Sequence, residues 1–267
     1  MKQMNMGMYE PMTTYIHELD ARVKVIATVL MMTLLFSSSS FLSYTLIACF
    51  LLGLTLSARL PLKQLGGLSA WRVILVLTFL LNMFLTPGET IWVTWRWIDV
   101  TVEGVQTGLL LVARIVLMVL TTTILTLTTK VLTLTSALAF LASPLKKLRF
   151  PVAEGVLIIH LALRFVPTLI EEKDRIISAQ KARGASFEAG SILKKAYNMI
   201  PILIPLMIAS LKRAEDLAHA MEARSYQIGA LRTSFHEMKM TKKDYTTLLV
   251  IFLFFAGMVG LECFIRR

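Results

Sequence analysis

The chain has 267 residues, of which 56% are hydrophobic and only 17% charged, and its mean hydropathy is +0.68. Soluble domains average roughly 45–50% apolar and about 25% charged residues, so this composition indicates a membrane protein. The formal net charge of +11 would also suit a nucleic-acid-binding protein. The basic residues flank apolar runs, where they face anionic lipid head groups, so nucleic-acid binding is not expected.

Long uncharged runs predict the membrane-spanning helices, because about 20 apolar residues cross the hydrocarbon core. The run 25–58 is too long for one span and has serines at 37–40 near its middle, which predicts a tight helical hairpin. Five spans are predicted, at about 23–38, 41–58, 71–87, 105–128 and 244–264. No basic segment or small-residue cleavage site accompanies the first run, so we expect no cleaved signal peptide.

Charges near the span ends predict the orientation, because cytoplasmic loops carry an excess of Lys and Arg. With the N-terminus inside, the outer loops hold only Arg96, whereas 18 of the 28 basic residues lie between Lys130 and Lys243. The outer loop 88–104 also carries three tryptophans, as in an interfacial aromatic belt. We therefore expect a cytoplasmic N-terminus and a large cytoplasmic region before the last span.

The region between the fourth and fifth spans predicts long amphipathic helices. Helical segments are expected at 132–148, 152–182 and about 189–223. Pro144 breaks the first segment, Pro167 leaves open whether the second is one helix or two, and Pro201 and Pro205 allow a kink in the third. The sequence leaves open whether the uncharged stretch 196–211 enters the membrane.

The two long helices end in similar short motifs. These are Ala182-Arg183-Gly184 and Ala223-Arg224-Ser225, with the arginines 41 positions apart. Glycine is favoured just past a helix C-terminus, and a cation there gains about 0.3–1 kcal/mol from the helix dipole without any partner. Arginine also suits bidentate pairing with a carboxylate, and small neighbours let a partner approach closely. Two such motifs on two amphipathic helices favour docking.

These motifs resemble those of the transmembrane T component of energy-coupling factor transporters, which are ATP-driven vitamin and metal importers. Both match the family's Ala-Arg-Gly-like motifs, although Ser225 replaces the commoner glycine. Further similar segments occur in the family's order, at 19–24, 108–114, 138–148 and 163–167.

The spans and amphipathic helices predict an all-α integral membrane protein, with a membrane bundle at 1–129, a cytoplasmic coupling region at 130–243 and a final transmembrane helix at 244–267. The resemblance implies an L-shaped arrangement of these parts, in the plasma membrane of a prokaryote. The two arginine motifs would dock in grooves of two ATP-binding-cassette subunits, while the bundle and coupling helices hold a substrate-binding S component. ATP and Mg²⁺ would bind to the partner ATPases, and this chain would carry no cofactor.

No set of residues predicts chemistry in the chain itself. A G-x-x-x-x-G-K-[ST] phosphate loop is absent, and the histidines and cysteines lack zinc-ligand spacing. We therefore expect neither a metal site nor catalytic residues. Arg114 is the one charge deep in a span, so we expect it to bind backbone carbonyls or a partner helix. Asn82 is a second candidate for holding helices together.

Two other functions fit parts of the sequence. The permease of a conventional ATP-driven importer also docks on ATPases, and 187–190 faintly resembles its Glu-Ala-Ala loop, but one such loop is expected there. A secondary carrier or channel would show intramembrane acids or repeats. The first four predicted spans contain neither Asp nor Glu.

Overall fold

A computed structural model describes residues 12, 14–58, 68–86, 91–95, 98–144, 151–185, 187, 191–227, 229 and 240–265. Within these ranges the chain forms helices and one two-stranded sheet. The elements are α1 Tyr15–Glu18, α2 Ala21–Ser37, α3 Phe41–Ser57, α4 Leu68–Leu85, β1 Ile91–Trp95, β2 Ile98–Thr101, α5 Val102–Thr128, α6 Val131–Leu141, α7 Val152–Ala182, α8 Ile192–Ala223 and α9 Lys242–Ile265.

The helical membrane fold predicted from the sequence is confirmed. Helices α2, α3, α4, α5 and α9 cover the five predicted spans, and the serine-rich stretch forms the corner between α2 and α3. Of these, α5 and α9 are long and apolar enough to cross a bilayer by length and composition alone, while α3 and most of α4 are shorter apolar helices. The 17 residues of α3 rise about 26 Å, close to the thickness of a hydrocarbon core.

The segment between α4 and α5, predicted to be an outer loop, contains a β-hairpin that the sequence did not predict. Strands β1 and β2 pair antiparallel, with Trp95 opposite Ile98 and Ile91 opposite Thr101, and the register is irregular between 91 and 93. Residues 87–90 and 96–97 lie outside the described residues. Branched and aromatic residues favour extended backbone, which accounts for strands in a segment that looked like an interfacial loop.

The chain divides into two compact units, Met1–Phe140 with His236–Arg267 and Leu141–Phe235. In the first unit, α2, α3, α5 and α9 pack around a core of fully buried side chains. Leu35 and Ile47 are 0% exposed, and Leu34, Leu51 and Leu127 are 1% exposed. Between helices in a bilayer, close packing replaces the hydrophobic effect as the source of stability. The domain boundaries drawn from the sequence stay a prediction.

The second unit consists chiefly of α7 and α8, which pack against each other. Pro167 lies inside a continuous α7, so the segment is one helix and not two. Pro201 and Pro205 likewise lie inside α8. Many large apolar side chains of α8 are exposed, including Leu193, Tyr197, Leu203, Ile204, Met207, Ile208 and Leu211.

Helix α4 packs closely against α5 because two glycines lie at the contact. A Cβ atom at Gly104 would lie 3.1 Å from the backbone oxygens of Asn82 and Met83. A Cβ atom at Gly108 would lie 3.3 Å from the backbone oxygen of Phe79. Glycines four residues apart let two helix backbones approach in a membrane, and here they do so within one chain.

We expect Gly104→Ala to lower the melting temperature of the detergent-solubilised chain. The carbonyls that a new methyl group would meet belong to the backbone, so relief of the overlap requires α4 to shift, at about 1–3 kcal/mol. Gly53→Ala is the matched control, because nothing lies within 4 Å of its Cβ position. Equal melting temperatures for the two variants would contradict close packing of α4 on α5.

Candidate functional site

Helices α7 and α8 end in the same backbone geometry. Arg183 and Arg224 are the C-cap residues, with φ of −84° and −93°. The residues that follow, Gly184 and Ser225, have φ of +86° and +55°. The closing bonds run from Gly184 N to Lys181 O (3.0 Å), Ala185 N to Gln180 O (3.0 Å), Ser225 N to Glu222 O (2.8 Å) and Tyr226 N to Met221 O (3.0 Å). Both ends are therefore Schellman motifs.

This geometry gives the third residue of each motif a backbone role. The left-handed conformation carries no Cβ penalty for Gly184, whereas Ser225 pays about 1–2 kcal/mol to adopt it. In return, each motif satisfies carbonyls that the helix end would leave without a partner. The arginine before the turn is thereby fixed as the C-cap of its helix.

The tips of both helices are exposed. The motif residues Ala182, Arg183, Gly184, Ala223, Arg224 and Ser225 are all solvent-accessible. Neither guanidinium group forms a hydrogen bond or ion pair with the part of the chain that the structure describes. The helix dipole holds a cation favourably at this end, and all five N–H donors of each arginine are available to a partner.

The two arginine motifs lie well apart. A straight helix of the 32 residues in α8 spans about 48 Å. The connection from Arg183 to Ser191 has nine residues and reaches at most about 32 Å. Helix α8 therefore carries Arg224 well away from Arg183, beyond the size of a single groove for one side chain.

Arg114 of α5 binds the corner between α2 and α3. Its Nε donates to the Tyr44 hydroxyl at 2.8 Å, and its Nη2 donates to the Ser38 carbonyl oxygen at 3.0 Å. The Tyr44 hydroxyl in turn donates to the same Ser38 oxygen at 2.9 Å. Ser38 is the C-cap of α2, so the guanidinium satisfies a carbonyl at a helix C-terminus, where positive charge is favoured.

Glu262 of α9 binds the same corner from the other side. Its Oε1 accepts from the Ser39 backbone N–H at 3.0 Å and from the Ser40 N–H at 3.4 Å, and its Oε2 accepts from the Ser39 hydroxyl at 3.3 Å. Ser40 is the N-cap of α3, so the carboxylate lies where the helix dipole favours negative charge. Glu262 is only 4% exposed.

Asp244 performs the corresponding task at the other end of α9. Its Oδ2 accepts from the backbone N–H and the hydroxyl of Thr241, both at 2.7 Å, which closes the start of its own helix. Its Oδ1 accepts from the Asp20 N–H at 2.8 Å. Asp20 then caps α2 by accepting from the Arg22 N–H at 2.9 Å.

Asn82 makes a different contact from the one expected. Its side-chain amide donates to Thr78 O at 2.9 Å, within α4 itself. With the described residues it forms no side-chain hydrogen bond to another helix. The contact with α5 is close packing, because the Asn82 Cβ lies 3.5 Å from the Cβ position of Gly108. Its role in holding helices together stays a prediction.

A search against protein families matches residues 12–235 to the model of CbiQ, described as a cobalt transport protein. The chain belongs to this family. Relatives named energy-coupling factor transporter transmembrane protein EcfT extend the match over nearly the full length. The one from Acidaminococcus fermentans is 40% identical and covers 94% of this chain and 93% of its own length. Those from Thermosediminibacter oceani and Bacillus subtilis are 36% and 37% identical, each covering 97% of this chain and 98% of its own.

The resemblance to the T component of energy-coupling factor transporters is thus confirmed. T components are transmembrane parts of transporters and associate with other transporter subunits. Within the described residues no cluster of three or more His, Cys, Asp or Glu side chains is placed to hold a metal ion.

Sequence reasoning missed both acids of α9. The uncharged run 245–261 predicted the last span, and Asp244 and Glu262 flank this run on either side. A usable signal was their separation of 18 residues, which is about five helical turns and places both on one face of α9. An acid in an apolar helix is by default functional or partnered.

We expect Arg114→Met to destabilise the purified chain strongly, because hydrogen bonds to a charged group contribute about 1.5–3 kcal/mol each. Arg175→Met is the control, since the Arg175 side chain is 77% exposed and its pair with Glu172 is a surface contact. The measurement is thermal unfolding in detergent, with Tyr44→Phe and the double mutant completing a cycle. Additive effects of Arg114→Met and Tyr44→Phe would contradict their joint capping of α2.

At the end of α7, we expect Gly184→Ala to destabilise by about 1 kcal/mol, since only the positive φ opposes the methyl group. Nothing lies within 4 Å of the Cβ position at Gly184 or at Gly155, so Gly155→Ala in the same helix is the matched control. Ser225→Gly should stabilise the end of α8 for the same reason. Chemical unfolding followed by circular dichroism measures all three, and a loss at Gly155 equal to that at Gly184 would refute the Schellman assignment.

Proposed function

We propose that this T component couples two ATP-binding-cassette ATPases to a substrate-binding S component of a vitamin or metal importer. The observation that carries the proposal is the pair of exposed arginines at matching C-caps on two long, mutually packed helices. The description of the matched family as a cobalt transport protein supports a micronutrient as cargo. ATP and Mg²⁺ would bind to the ATPases, so this chain is a non-catalytic subunit.

The proposed docking follows from the chemistry of the helix tips. Arg183 and Arg224 each present a guanidinium fork without a partner in the described part of the chain. A groove on an ATPase with a carboxylate at its base would receive one fork in bidentate geometry. The exposed Ala182 and Ala223 beside the arginines let the rim of the groove approach the helix backbone.

Two sites on one rigid pair of helices explain why two ATPases would be engaged. Because Arg183 ends α7 and Arg224 lies at the far end of α8, each ATPase would hold one motif. Closure of the ATPases on nucleotide would then move both helix ends, and the mutual packing of α7 and α8 would transmit that movement. The exposed apolar residues of α8 offer a surface for the S component.

The proposed orientation places the N-terminus and the second unit in the cytoplasm. The basic residues between Lys130 and Lys243 support it, because such an excess marks the cytoplasmic side. The ATPases would meet the helix tips there. A plasma membrane of a bacterium is supported by the bacterial origin of the relatives.

The intramembrane acid does not favour a secondary carrier. Carriers use such acids to bind protons or ions, and Glu262, which is buried near the end of α9, is the candidate. Its two oxygens already accept from Ser39 and Ser40 at the α3 N-terminus. The structural role of the Glu262 carboxylate, which is to cap the start of α3, therefore accounts for an acid at this position. Residues 188–190 of the faint conventional-permease motif lie outside the described residues.

The test is substitution of the two arginines in the assembled complex. Truncating one member of a buried charge pair costs about 2–5 kcal/mol, so Arg183→Ala or Arg224→Ala should weaken ATPase docking at least about 30-fold. The double mutant should lose the ATPases or hydrolyse ATP without uptake. Arg→Lys should rescue only in part, because lysine lacks the planar fork. ATPase retention on the tagged chain and substrate uptake are the measurements.

Arg175→Ala is the control, since it removes an exposed arginine from α7 without touching either motif. It should leave docking and uptake unchanged. If the Arg183→Ala, Arg224→Ala double mutant keeps its ATPases and transports at the normal rate, the arginines are ordinary helix-end charges and the docking proposal is wrong.

A further inference from the structure

The first unit contains an apolar cavity of about 340 Å³ between α1, α2, α3, α5 and α9. Its walls include Met31, Leu51, Ile124 and Ile251. The volume is about eleven times the roughly 30 Å³ that a water molecule occupies in the liquid. Cavities that bind small ligands begin near 300 Å³ and are mostly apolar with few polar groups.

Most of the hydroxyl groups around this cavity are already bonded to the protein. Thr28, Thr121 and Thr128 donate to the carbonyl oxygens four residues earlier in their own helices, at 2.7–2.8 Å. Thr247 and the Tyr15 hydroxyl both donate to Lys243 O, at 2.8 and 3.2 Å. Although several lining residues carry hydroxyl groups, the surface that faces the cavity is therefore mainly apolar. Such a surface favours hydrocarbon over water.

Lys24 provides a charged group at one end of the cavity. The residue is 8% exposed, and its Nζ donates to His17 O at 3.1 Å and to Thr128 O at 2.9 Å. An ammonium group has three N–H donors, and no acceptor in the described ranges takes the third. No carboxylate of the described chain lies within 4.0 Å of this nitrogen.

A second, polar cavity of about 390 Å³ adjoins the first, and Leu19, Lys24 and Thr128 line both. Three carboxylates, those of Glu18, Asp20 and Asp244, also line the polar cavity. Glu18 forms an ion pair with Lys243 at 2.9 Å, and the two aspartates accept from backbone N–H groups. Lys130 adds a second ammonium group to its wall. The two cavities together form an apolar compartment and a polar compartment that meet at a buried cation.

We propose that the apolar cavity binds one acyl chain of a bilayer phospholipid, and that an oxygen of its phosphate accepts the third N–H of Lys24. Basic groups between helices near a membrane surface recognise phosphate head groups in this way. A partner helix does not fit, because a helix 10–12 Å across would fill 340 Å³ with less than one turn. The site lies within the first unit and does not depend on the docking of ATPases.

The experiment uses the full chain in nanodiscs with three photoactivatable probes that carry the same diazirine-labelled acyl chain. The probes are phosphatidylglycerol, phosphatidylethanolamine and diacylglycerol, which has no phosphate. Peptide mass spectrometry then compares Ile251, which lines the cavity and is 7% exposed, with Leu253, which is 62% exposed. We expect the phospholipid probes to label Ile251 about tenfold more than diacylglycerol does, as a charged hydrogen bond implies. All three probes should label Leu253 equally.

Two variants separate the tail from the head group. Ala27→Phe fills the cavity and should abolish labelling of Ile251, while Ala256→Phe, an exposed position on α9 outside the cavity, should not. Lys24→Met should remove the preference for phospholipid over diacylglycerol. Because Lys24→Met also removes two structural hydrogen bonds, Ala27→Phe provides the independent test.

A preference for one of the two phospholipids supports the proposal and identifies the head group. The proposal is overturned if the phospholipid probes leave Ile251 unlabelled in the wild-type chain. It is equally overturned if diacylglycerol labels Ile251 as strongly as they do, or if folded Ala27→Phe is labelled at the wild-type level.

Discussion

The membrane bundle depends on how the corner between α2 and α3 satisfies its backbone. A helix leaves its last carbonyls and first N–H groups without partners, and a tight corner between two spans brings both sets together where water is scarce. Here Arg114 and Tyr44 satisfy the carbonyl side, while Glu262 satisfies the N–H side. Each charge stands at the helix end whose dipole favours it. Removing either would leave polar groups desolvated, which is why the corner needs both α5 and α9.

The two acids of α9 extend this principle along a whole helix. Asp244 and Glu262 are 18 residues apart, so they lie on one face and about 27 Å from each other, near the thickness of the hydrocarbon core. One binds the backbone just before α2, and the other the backbone just before α3. The last helix in the sequence thus completes a bundle whose other members lie before residue 141. In the sequence, the second unit is therefore an insertion into the first.

The sequence predicted elements that depend on long, one-dimensional patterns. Uncharged runs located the five spans, and the arginine motifs marked the ends of α7 and α8 to the residue. What it did not predict depends on contacts between distant segments. The sequence predicted that Arg114 binds backbone carbonyls or a partner helix, but not which residues: the Ser38 carbonyl and the Tyr44 hydroxyl, from 70 or more positions away, fill that role. The capping role of Glu262 is likewise invisible without the fold. The β-hairpin was not predicted because the tryptophans of this loop suit a membrane interface and a strand equally well.

Arg114 is bonded within the chain, whereas Arg183 and Arg224 at the ends of α7 and α8 are exposed. This difference follows from their surroundings. In the bundle, an unsatisfied guanidinium would be costly, and Arg114 donates to the Tyr44 hydroxyl of α3 and to the Ser38 carbonyl at the end of α2. At the tips of α7 and α8, water satisfies the side chains, so Arg183 and Arg224 can stay without a partner in the described chain at little cost. That cost arises only when a partner covers them without supplying acceptors. An exposed arginine on a rigid helix end therefore discriminates between partners, because a complementary carboxylate makes burial favourable and an apolar surface makes it unfavourable. The Schellman turn that ends each helix also fixes the position of its arginine.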